Sequence, residues 1–127
     1  MIKILKLTFY VSTILLLVIS LYPGSLAGFV FYNDLNRQPN LIENPFGTSI
    51  NHFIYYFYIS LLGHIAYLKE KKLKILVFLL LFLSVLLEVF QLLIPGRSFE
   101  IFDLMGNILG VLVAYYVIKI YLLLRKP

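Results

Sequence analysis

Residues 75–94, ILVFLLLFLSVLLEVFQLLI, are apolar except for Ser84, Glu88 and Gln91. A hydrocarbon core about 30 Å thick is crossed by about 20 helical residues, so this run reads as a transmembrane helix. A carboxylate inside such a span costs several kcal/mol unless it is paired or faces a polar cavity. Glu88 is therefore a functional-site candidate, and the chain supplies polar companions directly after it. These are Gln91, the turn Pro95-Gly96-Arg97, Asp103, Asn107 and Gly110.

Outward from this run, the rest of the chain repeats the pattern. Three further apolar runs, Ile4 to Tyr22, Ile50 to Leu68 and Leu104 to Leu124, are long enough or nearly long enough to span. The expected architecture is all-α and polytopic, a single membrane domain over residues 1–127 with four spans of roughly 4–22, 50–68, 75–94 and 104–124. The 127 residues are 61% hydrophobic and 13% charged, which is more apolar surface than a soluble domain of this size can bury. Mean hydropathy is +0.95. There is no cysteine, which excludes disulfides, thiolate catalysis and zinc-thiolate sites.

The net charge of +5 does not indicate nucleic acid, because the charges gather at the ends of the apolar runs. Lys3, Lys6, Lys69, Lys71, Lys72, Lys74, Lys119, Arg125 and Lys126 all fall on one side of an alternating four-span layout. Arg37 and Arg97 fall on the other, beside Asp34, Glu43, Glu100 and Asp103. The positive-inside bias then places both termini in the cytoplasm and the first and third connections outside. A rival reading takes Lys3, Lys6, the first apolar run and Ser25-Leu26-Ala27 as a cleavable signal peptide, leaving three spans in the same orientation.

Helical periodicity gathers the polar residues. One face of the second span carries His52, Tyr56, Ser60, Gly63 and Tyr67. The third carries Ser84, Glu88 and Gln91, and the fourth carries Asp103, Asn107, Gly110 and Ala114. Each stripe is polar toward its external end, and small residues on two of them suit close helix contact in lipid. The three stripes are expected to turn inward and form an outward-facing polar pocket. Glu88 is expected about 9 Å below the external end of its span, six residues inside Ile94 at 1.5 Å per residue. Asp103 is a candidate helix cap and Gln91 a candidate brace for Glu88. His64 lies in the cytoplasmic half, away from the cluster, and reads as structural. The long connection from Pro23 to Ser49 is a candidate lid, with Phe29 to Tyr32 apolar enough for the interface.

The segment from Ser84 through Glu88, Gln91, Pro95-Gly96-Arg97, Asp103 and Asn107 to Gly110 resembles the signature of VanZ-like membrane proteins. His52-Phe53-Ile54-Tyr55-Tyr56 is similar to that family's His-Phe-x-x-Tyr segment, so the motif core covers residues 50–115. Many members carry an Asp-Lys pair before the His, where this chain has Thr48-Ser49. The resemblance implies a multi-pass protein of the bacterial cytoplasmic membrane. It also implies a role in the cell envelope, since the namesake confers low-level resistance to teicoplanin. The carried-over residues are His52, Glu88, Gln91, Arg97, Asp103 and Asn107.

Three functions compete. The first is binding of a lipid-linked cell-wall precursor or a lipoglycopeptide, using His52, Tyr56, Glu88, Gln91, Arg97, Asp103 and Asn107; Arg97 offers a fork of donors for phosphate or carboxylate. The second is an intramembrane enzyme acting on a lipid substrate, with Glu88 and His52 as acid and base. The third is a structural accessory subunit locked by the same cluster. No metal, no cofactor and no nucleic acid is expected, because no motif for any of them is visible; the composition implies the lipid bilayer as a partner.

Overall fold

The structure is a computed structural model that describes residues 1–39, 42, 47, 49–70 and 72–125. The sequence readings on Glu43, Thr48, Lys71 and Lys126 lie outside the described residues. Among those described there are five α-helices and no strand: α1 (Ile2–Leu21), α2 (Leu26–Tyr32), α3 (Ser49–Ala66), α4 (Leu73–Gln91) and α5 (Ile101–Leu124). A single 3-10 turn, Leu68–Glu70, joins α3 to α4.

Local chemistry sets the boundaries. Tyr22 is extended at the end of α1, as expected for a residue that precedes a proline. The Ser25 hydroxyl accepts from the Gly28 N–H and starts α2, a helix absent from the sequence reading of this connection. Asn33 ends α2 in the left-handed conformation, φ 54°, which asparagine tolerates better than most residues. Helix α4 stops at Gln91, short of the expected Ile94. The chain then turns through Ile94-Pro95-Gly96-Arg97, with the Arg97 N–H donating to the Ile94 carbonyl at 3.1 Å and Gly96 at φ 75°. Pro at the second place of that turn and Gly at the third are the residues a type II turn selects.

Helices α1, α4 and α5 are each long and apolar enough to cross a membrane. Helix α3 is less apolar because Ser49, Asn51, His52, Ser60 and His64 lie on it. It nevertheless runs alongside the others for its full length. Contacts near Phe9 and Gly63, and between the Tyr10 and Tyr67 hydroxyls, set α3 antiparallel to α1. Lys6 reaches Glu70 at the same end. Contacts of Gly106 with Ser49 and of Gly110 with Phe53 set α5 parallel to α3. The core joins Phe9 and Leu16 of α1, Tyr56 and Ile59 of α3, Leu76, Leu80 and Leu87 of α4 and Val111 of α5.

The tightest approach is between α3 and α5. Gly106, Gly110 and Ala114 recur every four residues on α5 and are all buried. A methyl group at Gly110 would stand 2.6 Å from the Phe53 carbonyl oxygen and 2.8 Å from the Phe57 nitrogen. At Gly106 it would stand 2.7 Å from the Ser49 carbonyl oxygen. Both obstacles are backbone, so no rotamer change relieves them. Small residues at this spacing let two helices meet backbone to backbone, where dispersion rather than the hydrophobic effect drives association in lipid.

Gly110→Val is expected to destabilise the bundle by about 1–3 kcal/mol through overpacking. Thermal unfolding in detergent micelles measures it. An unchanged midpoint would contradict the close α3–α5 contact.

Candidate functional site

The polar stripes converge at one end of the bundle. Glu88 is 1% exposed and lies one turn from the end of α4, three residues before Gln91. That is about 4.5 Å along the helix, nearer the end than expected because α4 stops early. One Glu88 oxygen accepts from the Asn107 side-chain nitrogen at 3.2 Å. The same oxygen is 3.6 Å from His52 Nδ1. His52 Nδ1 is also 3.1 Å from Asn107 Oδ1, and His52 Nε2 is 3.2 Å from Asp103 Oδ2. The Ser49 hydroxyl donates to the other Asp103 oxygen at 2.5 Å.

Helix geometry explains the convergence. Ser49 and His52 are three apart on α3, and Asp103 and Asn107 are four apart on α5. Parallel packing through Gly106 brings the two pairs face to face, and Glu88 closes the set from α4. Asp103 does not cap α5, because the cap position is Glu100, with no side-chain bond. Asp103 lies in the first turn, where its charge suits the helix dipole while its oxygens serve Ser49 and His52. Both ring nitrogens of His52 face side-chain oxygens, Nδ1 that of Asn107, which spends its amide donor on Glu88, and Nε2 that of Asp103. The imidazole lies between two carboxylates that would otherwise repel each other across the interface of α4 and α5.

Two expected members play other parts. Gln91 does not brace Glu88; its amide reaches the Ser20 carbonyl of α1 at 3.4 Å. The Arg97 guanidinium binds backbone carbonyls at the end of α1. Nη2 donates to Ile19 at 3.1 Å and Gly24 at 2.7 Å, and Nε donates to Tyr22 at 3.4 Å. The last carbonyls of a helix have no partner within it, and a cation there also suits the dipole. The fork expected for a ligand is thus largely engaged in holding α1 against the turn after α4. Burial pulls the Arg97 pKa below its ordinary value, while Glu88 and Asp103 oppose that shift.

A cavity of about 240 Å³ opens beside this cluster. Leu16 and Ile19 of α1 and Leu26 and Ala27 of α2 give it apolar walls. His52, Tyr56 and Arg97 also line it. Tyr56 is 2% exposed, and its buried hydroxyl has no hydrogen-bond partner among the described residues. Glu88, Asp103 and Asn107 stand behind His52 and do not line the cavity. The described part of the candidate lid contributes Gln38 and Pro39 to one side; Asn51 donates to the Pro39 carbonyl at 2.7 Å, and Arg37 lies 3.8 Å over the Tyr32 ring. Among the described residues no group of three or more His, Cys, Asp or Glu is arranged to hold a metal ion. His64 is buried far down α3, with Nδ1 2.6 Å from the Ser60 carbonyl oxygen.

Ser49 and Gly106 are the residues that the sequence reading passed over. Each had a signal: Ser49 shares a helical face with His52, and Gly106 precedes Gly110 by four.

Fold and site together define a small all-helical membrane protein with several spans and a buried polar junction at one end. The VanZ/LLP1 family model matches residues 7–124, nearly the whole chain, and the protein belongs to that family. No curated protein and no solved structure matches it.

Replacing Glu88 separates shape from charge. Glu88→Gln keeps an acceptor for Asn107 and is expected to leave the folded yield close to wild type. Glu88→Leu strands the Asn107 amide and is expected to cost about 1–3 kcal/mol. Size-exclusion profiles and unfolding midpoints in detergent report both, and equal behaviour of the two variants would contradict the hydrogen-bonded junction.

Proposed function

We propose that this VanZ/LLP1-family protein crosses the bacterial cytoplasmic membrane four times, with both termini in the cytoplasm. In this reading its outward-facing cavity recognises the head of a lipid-linked cell-wall ligand. The alternating directions of α1, α3, α4 and α5 support four passes, since α3 packs lengthwise between two helices that qualify as spans. The distribution of Lys and Arg supports the orientation.

The observation that carries the ligand reading is Tyr56, which lines the cavity and whose buried hydroxyl has no hydrogen-bond partner among the described residues. A buried polar group left unpaired costs about 1–3 kcal/mol, which a ligand's polar atom would recover. Apolar walls from α1 and α2 suit an acyl or prenyl segment, and the fixed charge of Arg97 suits a nearby phosphate. An amphiphilic lipoglycopeptide such as teicoplanin has the same division into chain and polar head, so a contribution to glycopeptide resistance follows from the same cavity.

The enzyme reading draws less support. His52 turns both ring nitrogens toward Asp103 and Asn107, and Glu88 stands behind it. The structural reading has one observation in its favour: Ser49, His52, Glu88, Asp103 and Asn107 tie three helices together.

The test uses the full chain in nanodiscs and a dansyl-labelled polyprenyl-pyrophosphate muropeptide as probe. The wild type is expected to bind it. Tyr56→Phe is expected to weaken binding about two- to ten-fold through one lost hydrogen bond. Ala27→Trp is expected to abolish binding by filling the cavity, with folding intact. A folded wild type that leaves the probe free, or binding unaffected by Ala27→Trp, would contradict this function and leave the structural reading.

A further inference from the structure

A second cavity, about 300 Å³, lies at the opposite end of the bundle between α1 and α4. Phe9 and Thr13 line it from α1, and Leu79 and Leu83 from α4. Tyr67 and Lys72 close one end. From Lys72 to Leu83 the groove follows α4 for roughly 16 Å at 1.5 Å per residue. That is about half of a hydrocarbon core about 30 Å thick, the depth of one leaflet. Its inner part is apolar and its mouth is not, which is the polarity of a single lipid.

The mouth is also basic. Lys6 and Lys72 both pair with Glu70, the one carboxylate at this mouth among the described residues, with Lys72 Nζ 2.9 Å from it. Two ammonium groups against one carboxylate leave a positive charge, and the Lys72 side chain remains 56% exposed. Lys69 and Lys74 stand exposed on either side. Hydrogen bonds from Lys6 and Lys72 hold the Glu70 carboxyl below its ordinary value, so Glu70 remains the fixed anion that spaces the two lysines. The Tyr10 and Tyr67 hydroxyls meet at the same level, where amphipathic rings mark a membrane–water boundary.

We propose that this groove is a binding site for one anionic phospholipid, with an acyl chain between α1 and α4 and the phosphate at Lys72. Chain length, leaflet depth and charge all select a lipid over a free phosphate, which would find no use for the apolar part. They also select an anionic headgroup over a zwitterionic one. The site is independent of the outward cavity, because it uses neither His52 nor Arg97.

Full-length protein, delipidated in detergent, is titrated with phosphatidylglycerol, phosphatidylcholine and glycerol phosphate and followed by native mass spectrometry. One equivalent of phosphatidylglycerol is expected to remain bound at energies that strip phosphatidylcholine. Lys72→Gln together with Lys74→Gln is expected to lower its retention by about five-fold for each lysine removed. Leu79→Trp is expected to lower it by filling the groove while the basic end stays intact. Glycerol phosphate is expected not to compete. Equal retention of the two lipids, or retention unchanged in folded Leu79→Trp, would mean non-specific annular lipid and would overturn the proposal.

Discussion

One constraint organises this molecule: a carboxylate placed in an apolar helix must find partners inside the protein. Glu88 finds Asn107 and His52, and those two residues belong to different helices. Asp103 then shares His52 and recruits Ser49. The junction fixes how α3, α4 and α5 are rotated about their own axes. Apolar packing in lipid does not select a unique rotation as firmly, since one leucine face resembles another and lipid tails resemble both.

The junction depends in turn on glycine. His52 reaches Asn107 and Asp103 because α3 and α5 touch along Gly106 and Gly110. Side chains there would separate the backbones and lengthen every bond in the junction. Helix α1 joins by a different route. It adds Phe9 and Leu16 to the core, and Arg97 and Gln91 grip the carbonyls at its end. A proline-glycine turn aims Arg97 at that end, and the cavity beside the junction forms where α1 leaves a gap beside α3.

Much of this was legible in the sequence. The stripes Ser84-Glu88-Gln91 and Asp103-Asn107-Gly110-Ala114 are buried in full, as helical spacing predicts. An intramembrane acid has so few alternatives that its partners can be sought nearby. The placement of Arg97 was not legible. Its partners are backbone carbonyls, which carry no residue signal, and they lie more than seventy positions away. The contact of Gln91 with the Ser20 carbonyl was not legible for the same reason. Helix α2 escaped because seven residues are too few for a periodic pattern, although Ser25 before an apolar run is a usable start signal. The early end of α4 escaped because Leu92, Leu93 and Ile94 extend the apolar run without extending the helix; Pro95 forces the turn to begin before it.

The central claim is that His52 bridges the two carboxylates across three helices within a bilayer. The chain has only two histidines, so solid-state NMR of ring-labelled protein in lipid can resolve them. The account predicts through-space correlations from the His52 ring nitrogens to the side-chain carbons of Asp103 and Asn107, and from Nδ1 to the Glu88 carboxyl carbon. A His52 ring correlated only with lipid or water would contradict it.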